Sequence, residues 1–363
     1  MHKSFFSRVI LVPSVVWLSV FFGASTGSGR ELVEYITPAG PWGGIVSVVA
    51  VTISFAVALF LCFEIARRYN AYDYRVMSKL LLGKAWPIYE VVLLLGMLLA
   101  LAIASTASGE LLSKRFDLPK LWGTGALLLL VVLSVYKGRV FIEKSMTIAV
   151  GALLAAFLYI GFKVAGNHSA LLVESFSASK VHFNGVSTAL QYAMVNLSYI
   201  PLILYAARGI KTRSESATGA ISAAIFATIP LFFLHIIFIA GYPEILSEEL
   251  PIYWLLKRIT SDWFVDIYVA ILFLLIVQTG VGLLQGFIER MDGWFLQRNG
   301  RNIPPTWNGL LSFGVMGASL LLSTIGLIDL IRGAYMILFM GFIVTFVIPL
   351  LTVGSYRVFK ARN

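Results

Sequence analysis

Apolar segments of about 20 residues recur along the whole chain, and they constrain the fold more than any other feature. A helix needs about 20 mainly apolar residues to cross the hydrocarbon core of a bilayer. Only 13% of the 363 residues are charged, against roughly 25% in an average soluble domain. The sequence therefore predicts an all-α membrane protein with ten transmembrane helices, at 8–37, 43–66, 86–111, 121–136, 142–163, 184–208, 217–240, 263–289, 307–326 and 330–353.

The positions of the basic residues predict how these spans are oriented. With ten spans, most of the 28 lysines and arginines fall in segments on the same side as the N-terminus. The longest loop on the opposite side carries Glu244, Glu248 and Glu249. Because basic loops stay in the cytoplasm, we expect both termini to be cytoplasmic, in a bacterial inner or plasma membrane. The net charge of +10 is then explained by the basic loops that hold the chain's orientation. The expected partners are membrane lipids and a small-molecule substrate, and no nucleic acid is expected.

The first span contains a run that an ordinary membrane helix would not carry, Phe22-Gly23-Ala24-Ser25-Thr26-Gly27-Ser28-Gly29-Arg30-Glu31. Each interior glycine costs a helix about 1 kcal/mol relative to alanine. A break at membrane depth is tolerated only where the freed backbone groups line a cavity or are buried in protein. The run therefore predicts an unwound stretch over 23–29 that forms part of a solute and ion site.

The sixth span has a second interruption near its centre, where Asn196-Leu197-Ser198-Tyr199-Ile200-Pro201 occurs. Pro201 removes a backbone donor and disfavours helix at the residue before it. The two interrupted spans lie five apart, so the two halves of the chain would have opposite orientations, as in many secondary transporters. The pattern predicts a 5+5 inverted repeat with helices 1 and 6 unwound, its halves being 1–165 and 166–363.

This arrangement resembles the amino acid/polyamine/organocation (APC) superfamily and its LeuT-type fold. The string from Gly23 to Glu31 is similar to the small-residue, Ser-Gly-Gln-Glu signature of the YkvI-like membrane proteins, although Arg30 stands where glutamine is expected. Further matches are Glu64-Ile65-Ala66-Arg67, Tyr192 with Asn196-Leu197, and Gly333-Ala334-Tyr335. The resemblance implies secondary transport of an amino acid, an amine or a related zwitterion.

The two interruptions predict the walls of a substrate site. One wall is the unwound stretch of Gly23, Ala24, Ser25, Thr26, Gly27, Ser28 and Gly29, whose free carbonyls suit a cation and whose free amides suit a carboxylate. The other wall is Tyr192, Asn196 and Ser198, and Ser105 of the third span is a candidate for the path. Alternatives remain open: the glycines can serve close helix packing, and the polar side chains can serve hydrogen bonds between helices.

Three charged residues follow the unwound stretch, and charges at membrane depth are candidates for function. Arg30 can clamp a substrate carboxylate, or it can pair with Asp329 or Glu110 as a gate. It can also pair with Glu34 at i+4 on the same helix. Glu31 is the better candidate for a proton carrier or a buried partner.

The coupling ion is open between Na+ and H+. In sodium-coupled members of the resembled fold, hydroxyls of the eighth span meet first-span carbonyls around a sodium ion. By position Thr279 fits that role, with Gly23 and Ser25 as the first-span contributors, and oxygen ligands of this kind suit hard cations. No other cofactor is expected.

The sequence therefore predicts a secondary active transporter that works by alternating access and is coupled to Na+ or H+. The alternative is a non-transporting ligand sensor or receptor subunit with the same fold. An enzyme is not expected, because no recognisable catalytic set occurs in the sequence.

Overall fold

A computed structural model describes residues 4–22, 24–137, 139–167, 169–181, 183–300 and 303–360. Regular structure in these ranges is helical, and no strand occurs among them. The α-helices are α1 Val12–Phe21, α2 Ala24–Ser28, α3 Arg30–Tyr35, α4 Gly40–Tyr69, α5 Tyr74–Leu82, α6 Trp86–Phe116, α7 Lys120–Lys137, α8 Arg139–Asn167, α9 Ser169–Ala178, α10 Val186–Leu197, α11 Arg213–Ile239, α12 Pro251–Ile259, α13 Asp262–Asn299, α14 Pro305–Ser323, α15 Leu327–Phe342 and α16 Ser355–Phe359. The predicted all-α class is confirmed.

Shorter helical turns continue or connect these helices. A wider π-helical turn, Phe6–Leu11, precedes α1, and two more, Ile343–Val347 and Leu350–Gly354, join α15 to α16. The 3₁₀ segments are Thr37–Ala39, Gly83–Ala85, Ile200–Gly209 and Glu244–Ser247. The longest of them, Ile200–Gly209, carries the sixth span beyond its interruption.

Apolar helices long enough to cross a membrane make this an integral membrane protein. Five described segments qualify on their own: Thr37–Tyr69, Tyr74–Phe116, Arg213–Ile239, Asp262–Leu296 and Leu327–Phe359. Two more qualify if each bent pair is one span, namely Gly151–Asn167 with Ser169–Ala178 and Val186–Leu197 with Ile200–Gly209. Shorter apolar helices, Phe6–Phe21, Lys120–Val131 and Leu310–Ser323, lie at the predicted first, fourth and ninth spans. The count of ten and the two inverted repeats stay predictions.

Helix α11 runs between two sides of the molecule that differ in their contacts. At its start, Glu215 pairs with Arg8, and Arg213 lies over the ring of Phe359, 4.9 Å from its centroid. Residues near both ends of the described chain therefore lie on one side, which we call the terminal side. At its other end, Phe238 contacts Gly29, and we call this the distal side.

Several helices begin or end at residues whose backbone conformation or side chain favours a helix end. Helix α4 begins at Gly40, whose φ of +79° favours glycine, and it ends before Asn70, which is left-handed with φ 51°. Helix α11 is preceded by Thr212, whose hydroxyl accepts from the Glu215 amide at 3.2 Å. This Thr-x-x-Glu pattern is the first half of a capping box.

The apolar side chains divide between a continuous core and the outer surface. Phe55, Phe63 and Phe238 are fully buried, whereas Phe162 and Phe313 are each 79% exposed. Outward aromatic and aliphatic side chains face lipid at no cost in a membrane protein. Inside, α4 packs along α11, and α13 packs against α6 and α8. The interrupted first span lies among these helices.

Candidate functional site

The first span is interrupted twice, at Phe22 and at Gly29. Helix α1 ends at Phe21, and Phe22 has non-helical angles of φ −86° and ψ 74°. Gly29 has φ +84°, a left-handed conformation that favours glycine. Gly23 and the side chains of Ala24 and Ser25 lie outside the described part of the structure. The prediction of an unwound stretch over 23–29 was therefore too broad, because Ala24–Ser28 forms a turn of helix between two sharp breaks.

That helical turn weakens one sequence expectation. An anion site on the amides of the second half-helix needs several aligned peptide dipoles. The second half of the span is instead divided into α2 with five residues and α3 with six. The left-handed residue between them stops the dipoles from adding along one axis, so the expectation of a carboxylate site on these amides loses its physical basis.

The sixth span breaks within the predicted window. Helix α10 ends at Leu197, and the following 3₁₀ segment Ile200–Gly209 is bent from it by 66°. The Asn196 amide donates to the carbonyl of Tyr192 at 2.9 Å, and the Ser198 hydroxyl donates to that of Met194 at 3.1 Å. Both polar side chains thus bond the backbone of the last turn of α10 itself, and these bonds are not the bonds between helices that the alternative expected.

Aromatic rings bring the two interruptions together. The ring of Tyr192 lies 6.0 Å from that of Phe21, before the first break, and 6.0 Å from that of Tyr35, after the second. The Thr188 hydroxyl also donates to the Tyr35 carbonyl at 3.0 Å. Helix α10 therefore contacts the first span on both sides of its interruption.

A buried carboxylate connects α2 to α3. Glu31 is 2% exposed, and its Oε2 accepts from the Thr26 hydroxyl at 2.7 Å. The phenol of the buried Tyr192 lies beside this pair. The structure thus brings three predicted site residues together across the second break of the first span.

The eighth span, α13, closes against the same region. The Tyr268 hydroxyl donates to the Gly27 carbonyl at 3.1 Å. A Cβ on Gly27 would lie 2.8 Å from Leu275, so the close-packing alternative accounts for glycine at this position. Thr279 lies one turn beyond Leu275 and donates its hydroxyl to the Leu275 carbonyl at 2.9 Å. The proposed sodium ligands are Gly23, Ser25 and Thr279. Thr279 is described, whereas Gly23 and the Ser25 side chain lie outside the described residues.

Arg30 is buried, and both terminal nitrogens of its guanidinium are bonded on the distal side. Its Nη1 donates to the carbonyls of Leu246 at 2.9 Å and Glu248 at 2.7 Å. Its Nη2 pairs with Glu34 at 2.5 Å, and Glu34 also pairs with Arg332 of α15. The pairing within one helix that the sequence left open is therefore the one observed.

The two other predicted partners of Arg30 lie elsewhere. Asp329 is exposed and lies near Arg332, so a direct Arg30–Asp329 pair is corrected to the chain Arg30, Glu34, Arg332. Glu110 is buried and pairs with Lys120. Arg30 pairs with Glu34 because Glu34 lies one turn further along the same helix, within reach of the buried Arg30 side chain.

The loop between α11 and α13 completes the distal contacts. Lys114 at the end of α6 lies 3.3 Å from the Glu249 carboxylate, and the Tyr253 hydroxyl donates to the Lys114 carbonyl at 2.8 Å. Burial opposes ionisation of Glu249, but hydrogen bonding to Glu110 and the nearby lysine charges leave its pKa lowered. We call Arg30, Glu34, Arg332, Glu248, Glu249 and Lys114 the distal network.

The terminal side has two separate sets of polar contacts. In the first, Arg8 pairs with Glu215 at 2.6 Å and donates to the Gly209 carbonyl. The buried Glu64 belongs with this set, since it accepts from Arg67, Arg68 and Ser216.

In the second set, Glu90 of α6 accepts from Tyr74 at 2.8 Å and from Arg75 at 3.2 Å. The Arg290 guanidinium of α13 lies over the ring of Tyr74. This set therefore ties α5, α6 and α13 together.

Ser105, a candidate for the solute path, contacts residues of neighbouring helices. Its hydroxyl donates to the Leu101 carbonyl at 2.9 Å and lies 3.5 Å from that of Ser319 in α14. Its carbonyl accepts from Thr124 in α7. The structure thus gives Ser105 a packing position among three helices, which the sequence had kept open as the alternative.

Two residues near the breaks were not singled out as site residues from the sequence. The buried Tyr89 donates its hydroxyl to the Ser198 carbonyl at 2.7 Å, at the sixth-span break. Gln278, next to Thr279, is 4% exposed, and neither Nε2 nor Oε1 has a hydrogen-bond partner in the described part of the chain. The signal for Gln278 was a lone amide after the apolar run Leu274-Leu275-Ile276-Val277.

Within the described residues, no group of three or more His, Cys, Asp or Glu side chains could hold a metal ion.

No family model and no curated protein matches this sequence.

Solved structures of transporters are similar in fold. Two mutants of a manganese transporter from Eremococcus coleocola match with TM-scores of 0.58 and 0.60, at 12% identity over 97% of this chain and 80% of that chain. A Na+-coupled sialic acid symporter in a substrate-bound outward-open state matches with a TM-score of 0.55, at 13% identity over 96% of this chain and 75% of that chain. The chain therefore has the LeuT-type fold of these transporters.

Proposed function

We propose that this protein is a secondary active transporter that moves a small solute across the membrane by alternating access. The observation that carries the proposal is the contact of Tyr192 with both sides of the first-span interruption, in a fold that is shared with transporters. Two interrupted helices that meet inside a bundle are the arrangement that holds solutes in many secondary transporters.

The solute would lie between the first and sixth spans. Gly23, Ala24, Ser25, Thr26 and Ser28 would form one wall, and Tyr192, Asn196 and Ser198 the other. Amino acids, amines and related zwitterions are the proposed class. Arg30 is not proposed as a carboxylate clamp in this arrangement, because its guanidinium already bonds two carbonyls and Glu34.

The distal network would act as a gate. Arg30 belongs to the first span, whereas Glu248 and Lys114 belong to the loop and to α6. Opening of the distal side would separate these groups. In this proposal the observed arrangement is closed on the distal side, and solute would exchange with the terminal side, which we propose is cytoplasmic.

The coupling ion is proposed at one of two places. A sodium ion would bind backbone oxygens near Gly23 and Ser25 together with the Thr279 hydroxyl. Alternatively, Glu31 would carry a proton, since its carboxylate is buried and contacts Thr26 and Tyr192. Thr279→Val and Glu31→Gln distinguish the two: the first removes sodium dependence, and the second removes dependence on the pH gradient.

Flux into proteoliposomes tests the proposal. Purified protein would be reconstituted, and radiolabelled amino acids and amines supplied under an imposed sodium gradient, an imposed pH gradient, or neither. We expect gradient-dependent accumulation that ionophores abolish and that protein-free liposomes lack. Binding of a solute without any flux would instead favour the sensor or receptor subunit. The absence of both binding and flux across the whole panel would refute the proposal.

A further inference from the structure

Gln278 is a buried amide without a hydrogen-bond partner. It lies in the middle of α13 and is 4% exposed. Both its Nε2 and its Oε1 are enclosed and make no hydrogen bond in the described part of the structure. A buried polar group that lacks a partner destabilises a protein, and no bulk water exists at membrane depth to compensate. Leucine at this position would avoid that penalty, so the amide calls for an explanation.

The position of Gln278 connects it to the first-span interruption. Residues three and four apart share one face of a helix, so Leu275, Gln278 and Gly282 follow one another along α13. The Leu275 side chain contacts Gly27, which lies between the two breaks. At Gly282, no heavy atom lies within 4 Å of the place where a Cβ would be. Gln278 therefore lies between a contact with the interrupted segment and open space.

We propose that Gln278 binds the charged head of a zwitterionic solute, which is the transported solute of the function proposed above. The amide offers both N–H donors, on Nε2, and an acceptor oxygen, Oε1, from a single neutral group. A solute carboxylate would accept from Nε2, and its ammonium would donate to Oε1. This inference deepens the proposed function and rests on it.

The surrounding charges favour a zwitterion over a simple anion. Arg30, the cationic side chain nearest the break in sequence, is committed to Glu34 and to two carbonyls. Glu31 places a buried carboxylate close to the same break. A solute with carboxylate alone would meet this carboxylate without a counter-charge, whereas a zwitterion brings its own.

The test compares Gln278→Leu with Ser47→Ala. Ser47 is fully buried in α4, and its hydroxyl also lacks a partner, so Ser47→Ala removes a comparable buried group away from α13. The probes are glycine, L-alanine and L-leucine, with ethylamine and propionate as partners that lack one charge. Each variant is assayed for uptake in proteoliposomes and for thermal unfolding with and without each probe.

We expect both variants to unfold at a higher temperature than the wild type when no probe is present. With the amino acids, Gln278→Leu should raise the KM about tenfold or more and lose the probe-induced stabilisation, since the site loses both hydrogen bonds to charged groups. Ser47→Ala should keep the wild-type KM. Gln278→Glu, which keeps the acceptor and loses the donor, should favour ethylamine over L-alanine relative to the wild type.

Three results would overturn the inference. If Gln278→Leu unfolds at a lower temperature, the amide has a partner within the folded protein. If Gln278→Leu takes up amino acids with the wild-type KM, transport stands and only the role of Gln278 is wrong. If the wild type is neither stabilised by an amino acid nor takes one up, the zwitterion is wrong as well. Stabilisation of the wild type but not of Gln278→Leu, without flux, would retain the binding site and reject transport.

Discussion

The distal and terminal sides are both rich in ion pairs, but the pairs connect different partners. On the distal side, Arg30 of the first span bonds the loop before α12, and Glu34 pairs with Arg332 of α15. On the terminal side, the described partners of Arg8 are the Gly209 carbonyl, after the sixth span, and Glu215 at the start of α11. The second terminal set, around Glu90, joins α5, α6 and α13 without involving the first span.

This difference concerns which helices the ion pairs of each side connect. The distal pairs connect the first span to the loop before α12 and to α15, so in the proposed mechanism they would separate when that side opens. On the terminal side, Arg8 bonds the segment Ile200–Gly209 and α11, which both already pack against α1, so the proposed motion would leave this pair in place. In the proposed mechanism the distal pairs therefore join parts that move apart, and the terminal pairs lie within parts that move together.

The largest expected effect comes from Arg30→Ala. Removal of one partner from a buried pair costs about 3–5 kcal/mol, because Glu34 and two carbonyls lose a bonded charge. The free energy of unfolding in detergent should fall by that amount. In a Cys62→Ser, Ile252→Cys background, labelling of residue 252 by an impermeant maleimide should accelerate at least about tenfold, which corresponds to about 1.4 kcal/mol of lost closure. An unchanged labelling rate would show that Arg30 does not hold the distal side closed.

A somewhat smaller effect is expected for Gly29→Ala. Its φ of +84° disfavours alanine, and the new Cβ would lie 2.5 Å from the Phe238 ring. We expect a loss of about 1–3 kcal/mol and faster labelling at residue 252. Gly300→Ala is the matched control, since Gly300 also has a left-handed φ, +68°, and nothing lies within 4 Å of its Cβ position. If both variants melt alike, the contact at Gly29 does not contribute to distal closure.

Arg8→Gln tests the terminal side with the same residue type on the same span. Its side chain is 20% exposed, and it pairs with a Glu215 carboxylate that is 12% exposed. We expect a loss of about 1 kcal/mol and no change in labelling at residue 252. Faster distal labelling in this variant would contradict the separation of the two sides, because a terminal bond would then control distal access.

The smallest effect is expected for Lys114→Ala. Lys114 and its two glutamate partners are each about a quarter to a third exposed, so solvent screens these pairs. We expect at most about 1 kcal/mol of lost stability, which should shrink further at high salt. A salt-independent loss of several kcal/mol would mean that the loop depends on Lys114 far more than its exposure indicates.

The sequence predicted the positions of the helices and of both interruptions, because apolar run length, glycine and proline act locally. Gly29 and Ser198–Tyr199 fall inside the predicted windows, whereas the break at Phe22 lies one residue before the predicted stretch 23–29. The turn of helix over Ala24–Ser28 was missed, since the tertiary environment overrides the weak propensity of small residues.

Apart from the Arg30–Glu34 pair, which was among the alternatives, the partners of the site residues could not be read from the sequence. Arg30 bonds the carbonyls of Leu246 and Glu248, and a backbone carbonyl leaves no mark on residue identity. The contact of Tyr192 with Phe21 and Tyr35 depends on how distant helices pack. Gln278 is visible as a letter, but its lack of a partner is a property of the folded chain.

His235 has a consequence for how the first span can move. Its ring occupies the space beside Gly44, where a Cβ would lie 2.1 Å from Cε1, and Nε2 lies 2.9 Å from the Pro41 carbonyl. This side chain of α11 thus pins the corner where the first span turns into α4. In the proposed mechanism the first span would then move together with α4 and α11, and a bulkier residue at position 44 would displace the His235 ring that joins them.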